Sequence, residues 1–126
     1  MELEEITGAI IGAAIAVHRA LGPGFVESVY EAALGVELSH RDIGFERQLQ
    51  VPISYRGEPV GVHRIDLPVA GSIVVELKAV QEIQDIHFVI VRSYLRATDR
   101  RHALVINFGK SKLEVRRVAT RENRDN

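Results

Sequence analysis

Apolar residues recur every three to four positions at the start of the chain, where Ile6, Ile10, Ala13, Ala14 and Val17 fall on one side of a helix. Glu2, Glu4 and Glu5 stand at its beginning, where the helix dipole favours negative charge. The triplet Gly22-Pro23-Gly24 stops that helix, and a second is predicted from about Val26 or Glu27 to about His40. The period then falls to two. An extended stretch opens at Gly44, with Leu49, Val51, Ile53 and Tyr55 alternating with polar partners, and Arg56-Gly57-Glu58 reads as a hairpin turn. A second strand is predicted over residues 61–69 and a third over 73–80. From about Glu82 the period is helical again, with Ile83, Ile86, Ile90, Tyr94 and Ala97 expected on one side. Residues 102–108 (HALVINF) look like a buried strand, residues 112–118 (KLEVRRV) alternate like an edge strand, and about 119–126 are expected to form a frayed tail. The order α-α-β-β-β-α-β-β predicts a single α/β domain.

The third strand raises a problem of burial. Ile73, Val74, Val75, Leu77, Ala79 and Val80 form a nearly continuous apolar run, as in a strand covered on both faces. Glu76 and Lys78 interrupt it and, being two apart, share a face. An unpaired charge buried there costs several kcal/mol or more. Ten residues upstream stands Asp66, and Ala70-Gly71-Ser72 suits a three-residue hairpin loop. In that register Val69 pairs with Ile73, Asp66 lies opposite Glu76, and Arg64 lies opposite Lys78. Directly opposed residues have Cβ atoms roughly 4.5–5.5 Å apart, so two carboxylates there need a proton or a cation between them. With the backbone carbonyl of Leu77 they offer oxygen donors suited to Mg²⁺ or Mn²⁺. Lys78 could position or deprotonate a water beside such an ion, which is what metal-assisted phosphodiester hydrolysis requires.

Other readings fit the same spacing. A two-residue turn would send Asp66 to the opposite face, and Pro68 implies an edge position or a bulge. Glu76 could pair with Lys78 or Arg64, leaving Asp66 as a turn or ladder residue. Spacing alone leaves the metal site and the ion-paired strand equally open.

Composition narrows the classes. A chain of 126 residues with 46% hydrophobic and 26% charged residues suits one soluble globular domain. It has no cysteine, which excludes disulfides and thiolate chemistry. The apolar stretch AIIGAAIAV is too short to span a bilayer and lacks a basic leader, so a cytoplasmic protein with no membrane contact is expected. Charge is uneven: residues 1–63 hold 4 basic and 9 acidic side chains, residues 64–126 hold 12 and 8. Arg92, Arg96 and Arg100 form a stripe four apart, which suits either a solvated helix face or one that contacts phosphates.

Asp66 followed by Glu76-Leu77-Lys78 resembles the signature of the PD-(D/E)XK nuclease superfamily. The segment IIGAAIAVHRALGPGFVESVYEAAL closely resembles the opening of the GxxExxY protein family, with Gly24, Glu27 and Tyr30 as the name-giving motif. The likeness runs from about Ile6 to Phe108. It implies a restriction-endonuclease-like αβββαβ core, a mixed sheet flanked by helices, over residues 1–126. It also implies that Asp66 and Glu76 ligate a divalent metal, that Lys78 orients the attacking water, and that Glu27 reaches the same centre. His18 would support the site from behind or cap the first helix. Tyr30 would be a core aromatic with a bonded hydroxyl or an accessory to catalysis. The family's H-x-x-Q-x-x-x-Y-L helix maps onto His87, Ile90, Tyr94 and Leu95, with isoleucine in place of the glutamine.

The function implied is a Mg²⁺- or Mn²⁺-dependent nuclease acting on DNA or RNA. The alternatives are a nuclease-fold module that binds nucleic acid or a protein without cleaving, and an oligomeric structural protein whose buried charges fix its register. So small a chain carries little recognition surface, so a homodimer or a partner protein is expected.

Overall fold

A computed structural model describes residues 2–120. The elements are α1 (Leu3–Leu21), α2 (Glu27–His40), β1 (Leu49–Tyr55), β2 (Glu58–Ile65), β3 (Leu67–Val69), β4 (Ile73–Lys78), α3 (Asp85–Thr98), β5 (His102–Asn107) and β6 (Glu114–Ala119). The main sheet has the order β3-β4-β5-β6, and β1 and β2 form a separate two-stranded ribbon. Among the described strands only the β4–β5 pair is parallel, and α3 makes the crossover that a parallel pair requires. Ala119 closes β6 opposite His102, and the Thr120 N–H donates to the Arg101 carbonyl, so the chain stays paired to there. The rest of the predicted tail, residues 121–126, lies outside the described residues.

Alternation along the strands builds two cores on the two faces of the sheet. Ile73, Val75, Leu77, Leu104 and Ile106 pack against the apolar stripe of α1 and against Tyr30, Leu34 and Leu38 of α2. Val74, Ala103 and Val105 pack on the other face with Val91 and Leu95 of α3 and with Val51 and Ile65 of the ribbon. Glu76 and Lys78 share the second face by parity with Val74. The helix stripe expected at Ile86, Ile90 and Ala97 is therefore rotated: the sheet takes Val91 and Leu95, and Ile86, Val89, Ile90 and Ala97 are left outside. Apolar residues lie on several sides of this helix, so periodicity alone could not select the buried side.

The predicted second strand breaks in two at Asp66. Upstream, β1 and β2 pair antiparallel from Leu49↔Ile65 outward to a two-residue turn in which Arg56 (φ 52°) and Gly57 (φ 82°) are both left-handed. Downstream, the Gln48 N–H donates to the Asp66 carbonyl, Glu46 to Pro68 and Ala70 to Gly44, with Phe45 bridged to Val69. The register is the same on both sides of the break. Residues 44–55 and 58–70 thus form one long ribbon, bent where Gln48, at φ 55°, meets Asp66. The lower part joins the main sheet through β3, and the upper part leaves it. Pro68 fits because its carbonyl faces Glu46, so the N–H it lacks would have faced that side and not β4.

Candidate active site

The three-residue loop sets the β3–β4 register as expected, with Val69↔Ile73, Pro68↔Val74 and Leu67↔Val75. Asp66 is the next position, opposite Glu76, and here the ribbon peels away. That departure strips β4 of its ladder partner and leaves backbone groups that must be satisfied another way. The two carboxylates do it reciprocally. Asp66 Oδ2 accepts the Leu77 N–H at 3.0 Å, and Glu76 Oε1 accepts the Asp66 N–H at 3.1 Å. The Lys78 carbonyl accepts from the Phe108 N–H on the β5 side. The Leu77 carbonyl, one residue earlier, therefore faces the opened edge beside Asp66.

Neither carboxylate is ion-paired to a described residue, so the pairing of Glu76 with Lys78 or Arg64 does not occur. Arg64 does not oppose Lys78 either. It leaves with the ribbon and pairs with Gln50, because the strand expected to carry it along β4 bends at Asp66. Glu76 is only 5% exposed. Burial first, and then the neighbouring Asp66 charge, push its pKa up to about 8, while Lys78 pulls the other way. Asp66 is raised as well, by burial above all and against the pull of its bond to Leu77. With no cation bound, this pair holds a proton near neutrality.

The pair opens into a cleft of about 520 Å³. Its wall includes Glu27 from the start of α2, Lys78 at the end of β4 and Tyr94 from α3, all expected from the sequence. It also includes Gln50, Val62, His63 and Arg64 from the ribbon. His63 meets the Tyr94 ring edge-on at a centroid distance of 4.8 Å. The Tyr94 hydroxyl is raised by burial and by the two carboxylates. The Glu27 charge adds to the rise of both carboxylates, which places it within electrostatic reach of them. Among the described residues, no three acidic, imidazole or thiolate groups converge tightly enough to form a metal cage by themselves. The donor set is two carboxylates and a carbonyl facing a polar cleft. That suits Mg²⁺ or Mn²⁺, which commonly keep several waters and take one or two protein carboxylates.

A support invisible in the sequence holds the end of β4. Asn107, fully buried opposite Lys78, accepts the Val80 N–H at 3.0 Å through Oδ1 and donates to the Val80 carbonyl at 2.9 Å through Nδ2. Gly109 lies against the same turn, where an added Cβ would fall 2.5 Å from Val80 N and O. Residues 79 and 80 thus turn off the sheet instead of extending β4.

Three of the predicted accessory positions and the arginine stripe lie elsewhere. Tyr30 stacks on Phe108 at 4.6 Å, donates to the Gly22 carbonyl at 2.6 Å and accepts the Phe25 N–H, so it locks the loop between the helices. The ring of His18 meets the Lys110 carbonyl through Nε2 at 2.8 Å, in the groove between α1 and residues 111–115. The Nδ1 of His87 accepts the Gln84 N–H at the start of α3. Arg92 and Arg96 are each two residues from Tyr94, about 160° around the helix at 3.6 residues per turn, so their stripe points away from the cleft. Arg100 lies beyond the helix and its Nε is buried without a partner.

The protein-family model of the PD-(D/E)XK nuclease superfamily matches residues 4–118. No curated protein matches. Among solved structures, the chain is similar to the protein described as "Crystal structure of SSO0001", with a TM-score of 0.60 and 14% identity over 78% of this chain and 52% of that one. It spans about half the length of that protein, and at this identity the likeness concerns the fold. No described helix is long and apolar enough to cross a membrane. The family match takes in both N-terminal helices, the bent ribbon, the facing carboxylates and nearly all of the sheet, and the chain belongs to the PD-(D/E)XK nuclease superfamily.

Proposed function

We propose that this chain is a divalent-metal-dependent nuclease that hydrolyses phosphodiester bonds in DNA or RNA, of the GxxExxY type that its Gly24, Glu27 and Tyr30 resemble. The observation that carries this reading is the pair of buried Glu76 and half-buried Asp66, opposed across a hairpin with no ion pair to a described residue. Nucleases of this superfamily typically use divalent metals.

Asp66, Glu76 and the Leu77 carbonyl would hold Mg²⁺ or Mn²⁺, with Glu27 acting through a water. A bound ion there supplies positive charge to the phosphoryl oxygens and lowers the pKa of a coordinated water. Lys78, on the same strand face as Glu76 and steadied by the Asn107 clamp behind it, orients the attacking water and offsets charge as it develops on the phosphate. Water oxygen bonds to phosphorus and releases a proton to solvent, the bridging P–O bond breaks, and the leaving oxygen takes up a proton from solvent.

The substrate is DNA or RNA, and the protein works in the cytoplasm as a homodimer or with a partner protein. Incubation of labelled single- and double-stranded DNA and RNA with Mn²⁺ tests this. Wild type should cut at least one of them, while Glu76→Gln and Lys78→Ala should not. Equal cleavage by wild type and Glu76→Gln would assign the activity to another site or a contaminant.

A further inference from the structure

We propose that Arg64, with Gln50 beside it, forms a phosphate-binding subsite on the ribbon wall of the cleft, holding a phosphate next to the one that is cut; this rests on the nuclease reading above. Gln50 and Arg64 are direct partners in the β1–β2 register, and both line the cleft that holds Asp66 and Glu76. Their direction is fixed from behind. Val51 and Ile65, the next residue on each strand, are buried against Val91 and Leu95, so the face carrying Gln50 and Arg64 cannot turn inward without exposing that core.

Arg64 is also uncommitted. It is exposed, and its guanidinium makes no hydrogen bond or ion pair with another described residue. Arg41, Arg47, Arg116 and Arg117 each engage a glutamate. The bend at Asp66 is what frees it. An unbroken ladder would have set Arg64 and Lys78 face to face, where like charges repel. Instead Lys78 stays in the sheet, two residues after Glu76, while Arg64 leaves with the ribbon, two residues before Asp66. The two cations come to the cleft from different elements, with the carboxylate pair between them in the chain path.

A polyanion entering the cleft meets Glu27, Asp66 and Glu76, which Lys78 and a divalent ion bring no further than neutral, leaving no positive charge for a second phosphate. A guanidinium offers the planar fork that grips two phosphate oxygens at once. The Gln50 amide adds a neutral donor of the kind that fixes phosphate or sugar without reading sequence.

Fluorescence anisotropy with labelled oligonucleotides in Ca²⁺, over a series of KCl concentrations, tests the assignment on wild type, Arg64→Ala and Arg64→Lys. Arg64→Ala should bind roughly tenfold more weakly, the loss expected for a hydrogen bond to a charged group. Its plot of log affinity against log salt should be shallower by about 0.7 for a single strand or 0.9 for a duplex, the share of one phosphate contact. Arg64→Lys should keep the wild-type slope and part of the affinity. Purely structural damage would lower the melting temperature and leave the slope unchanged. Oligonucleotides with terminal phosphates, with terminal hydroxyls, and circular ones distinguish the source. An effect of Arg64→Ala that persists on circles assigns an internal phosphodiester, and one confined to phosphorylated ends assigns a terminal phosphate. Wild-type affinity and slope in a folded Arg64→Ala overturn the subsite while leaving nuclease activity to stand. Failure of wild type to bind or cut any oligonucleotide removes the nuclease reading, and the subsite with it.

Discussion

Asp66 and Glu76 each bond a backbone N–H of the other's strand segment: Glu76 Oε1 takes the Asp66 N–H, and Asp66 Oδ2 takes that of Leu77. The hydrogen bonds that draw the carboxylates together also set two acidic groups side by side, Glu76 buried and Asp66 half-buried, where their charges would repel. A divalent ion relieves the conflict without breaking either bond, because each carboxylate has a second oxygen to offer. Mn²⁺ should therefore stabilise the fold, by roughly 2.7 kcal/mol at a hundred times its dissociation constant. Asp66→Asn keeps an oxygen for Leu77 but loses the ligand charge, so its melting temperature should barely respond to Mn²⁺. Equal metal-induced shifts in the two proteins would place the ion elsewhere.

The same pair sets a pH dependence in the metal-free protein. The Glu76 pKa rises from an ordinary 4.5 to about 8 on folding, through burial and the Asp66 charge. Between those values the native state holds a proton that the unfolded chain has released. This contribution is complete below about pH 4.5 and is lost as pH rises toward 8, with a slope of at most about 1.4 kcal/mol per unit. Denaturant melts in EDTA across that range should show falling stability, and Glu76→Gln should flatten it. Saturating Mn²⁺ should flatten it too, since the bound ion replaces the proton. A flat EDTA profile in wild type would mean that Glu76 titrates normally.

Asn107 makes a third expectation. It satisfies both backbone groups of Val80 just beyond Lys78, so Asn107→Ala leaves two half-buried groups without that partner. The loss should be on the order of 2 kcal/mol, from two half-buried groups at the low end of about 1–3 kcal/mol each. Asn107→Asp restores only the acceptor and should recover less than half. Urea denaturation of the three proteins measures it, and a change below about 0.5 kcal/mol would show that water substitutes freely there.

How much of this was legible in the chain depended on whether the signal was local. Ala70-Gly71-Ser72 suited a three-residue loop, which the spacing left beside a two-residue turn, and the three-residue register is the one that forms and sets Asp66 opposite Glu76. The bend at Asp66 had no such mark: Ile65-Asp66-Leu67 continues the alternation without a break, and the kink comes from Gln48, a non-glycine residue at positive φ in a different segment. Gln50, His63 and Arg64 join the cleft only because of that bend, so strand spacing could not find them. Asn107 carries no signal of its own within HALVINF, and its role appears only once β4 and β5 are seen to run parallel. Tyr30, His18 and His87 stood out as motif residues, yet the nearest bonds of Tyr30 and His87 serve a loop and a helix start, and His18 sits in a different groove.

Ile90 carries the last prediction. The likeness to related nucleases puts a glutamine at this position. The structure changes what the substitution means, because Ile90 is 36% exposed and lies one turn before Tyr94, on the flank of α3 that leads to the cleft. An isoleucine locked into the core would have made Ile90→Gln bury an unsatisfied amide. At the observed exposure the amide can reach water, so the stability change should stay within about 0.5 kcal/mol. The side chain would then be free to extend toward Tyr94 and the cleft mouth and to hydrogen-bond a water or a phosphate oxygen, which isoleucine cannot do. Misplacing a reacting group by about 1 Å can cost on the order of a hundredfold in rate. Wild type should accordingly cut slowly, and Ile90→Gln should raise kcat by about tenfold or more with little change in KM, since the amide orients what is already bound. Single-turnover cleavage with Mn²⁺, run beside a denaturant melt of both proteins, reads rate and stability together. A folded Ile90→Gln that binds metal and cuts no faster than wild type would show that this position does not contribute to the chemistry, and that the water is oriented from Lys78 alone.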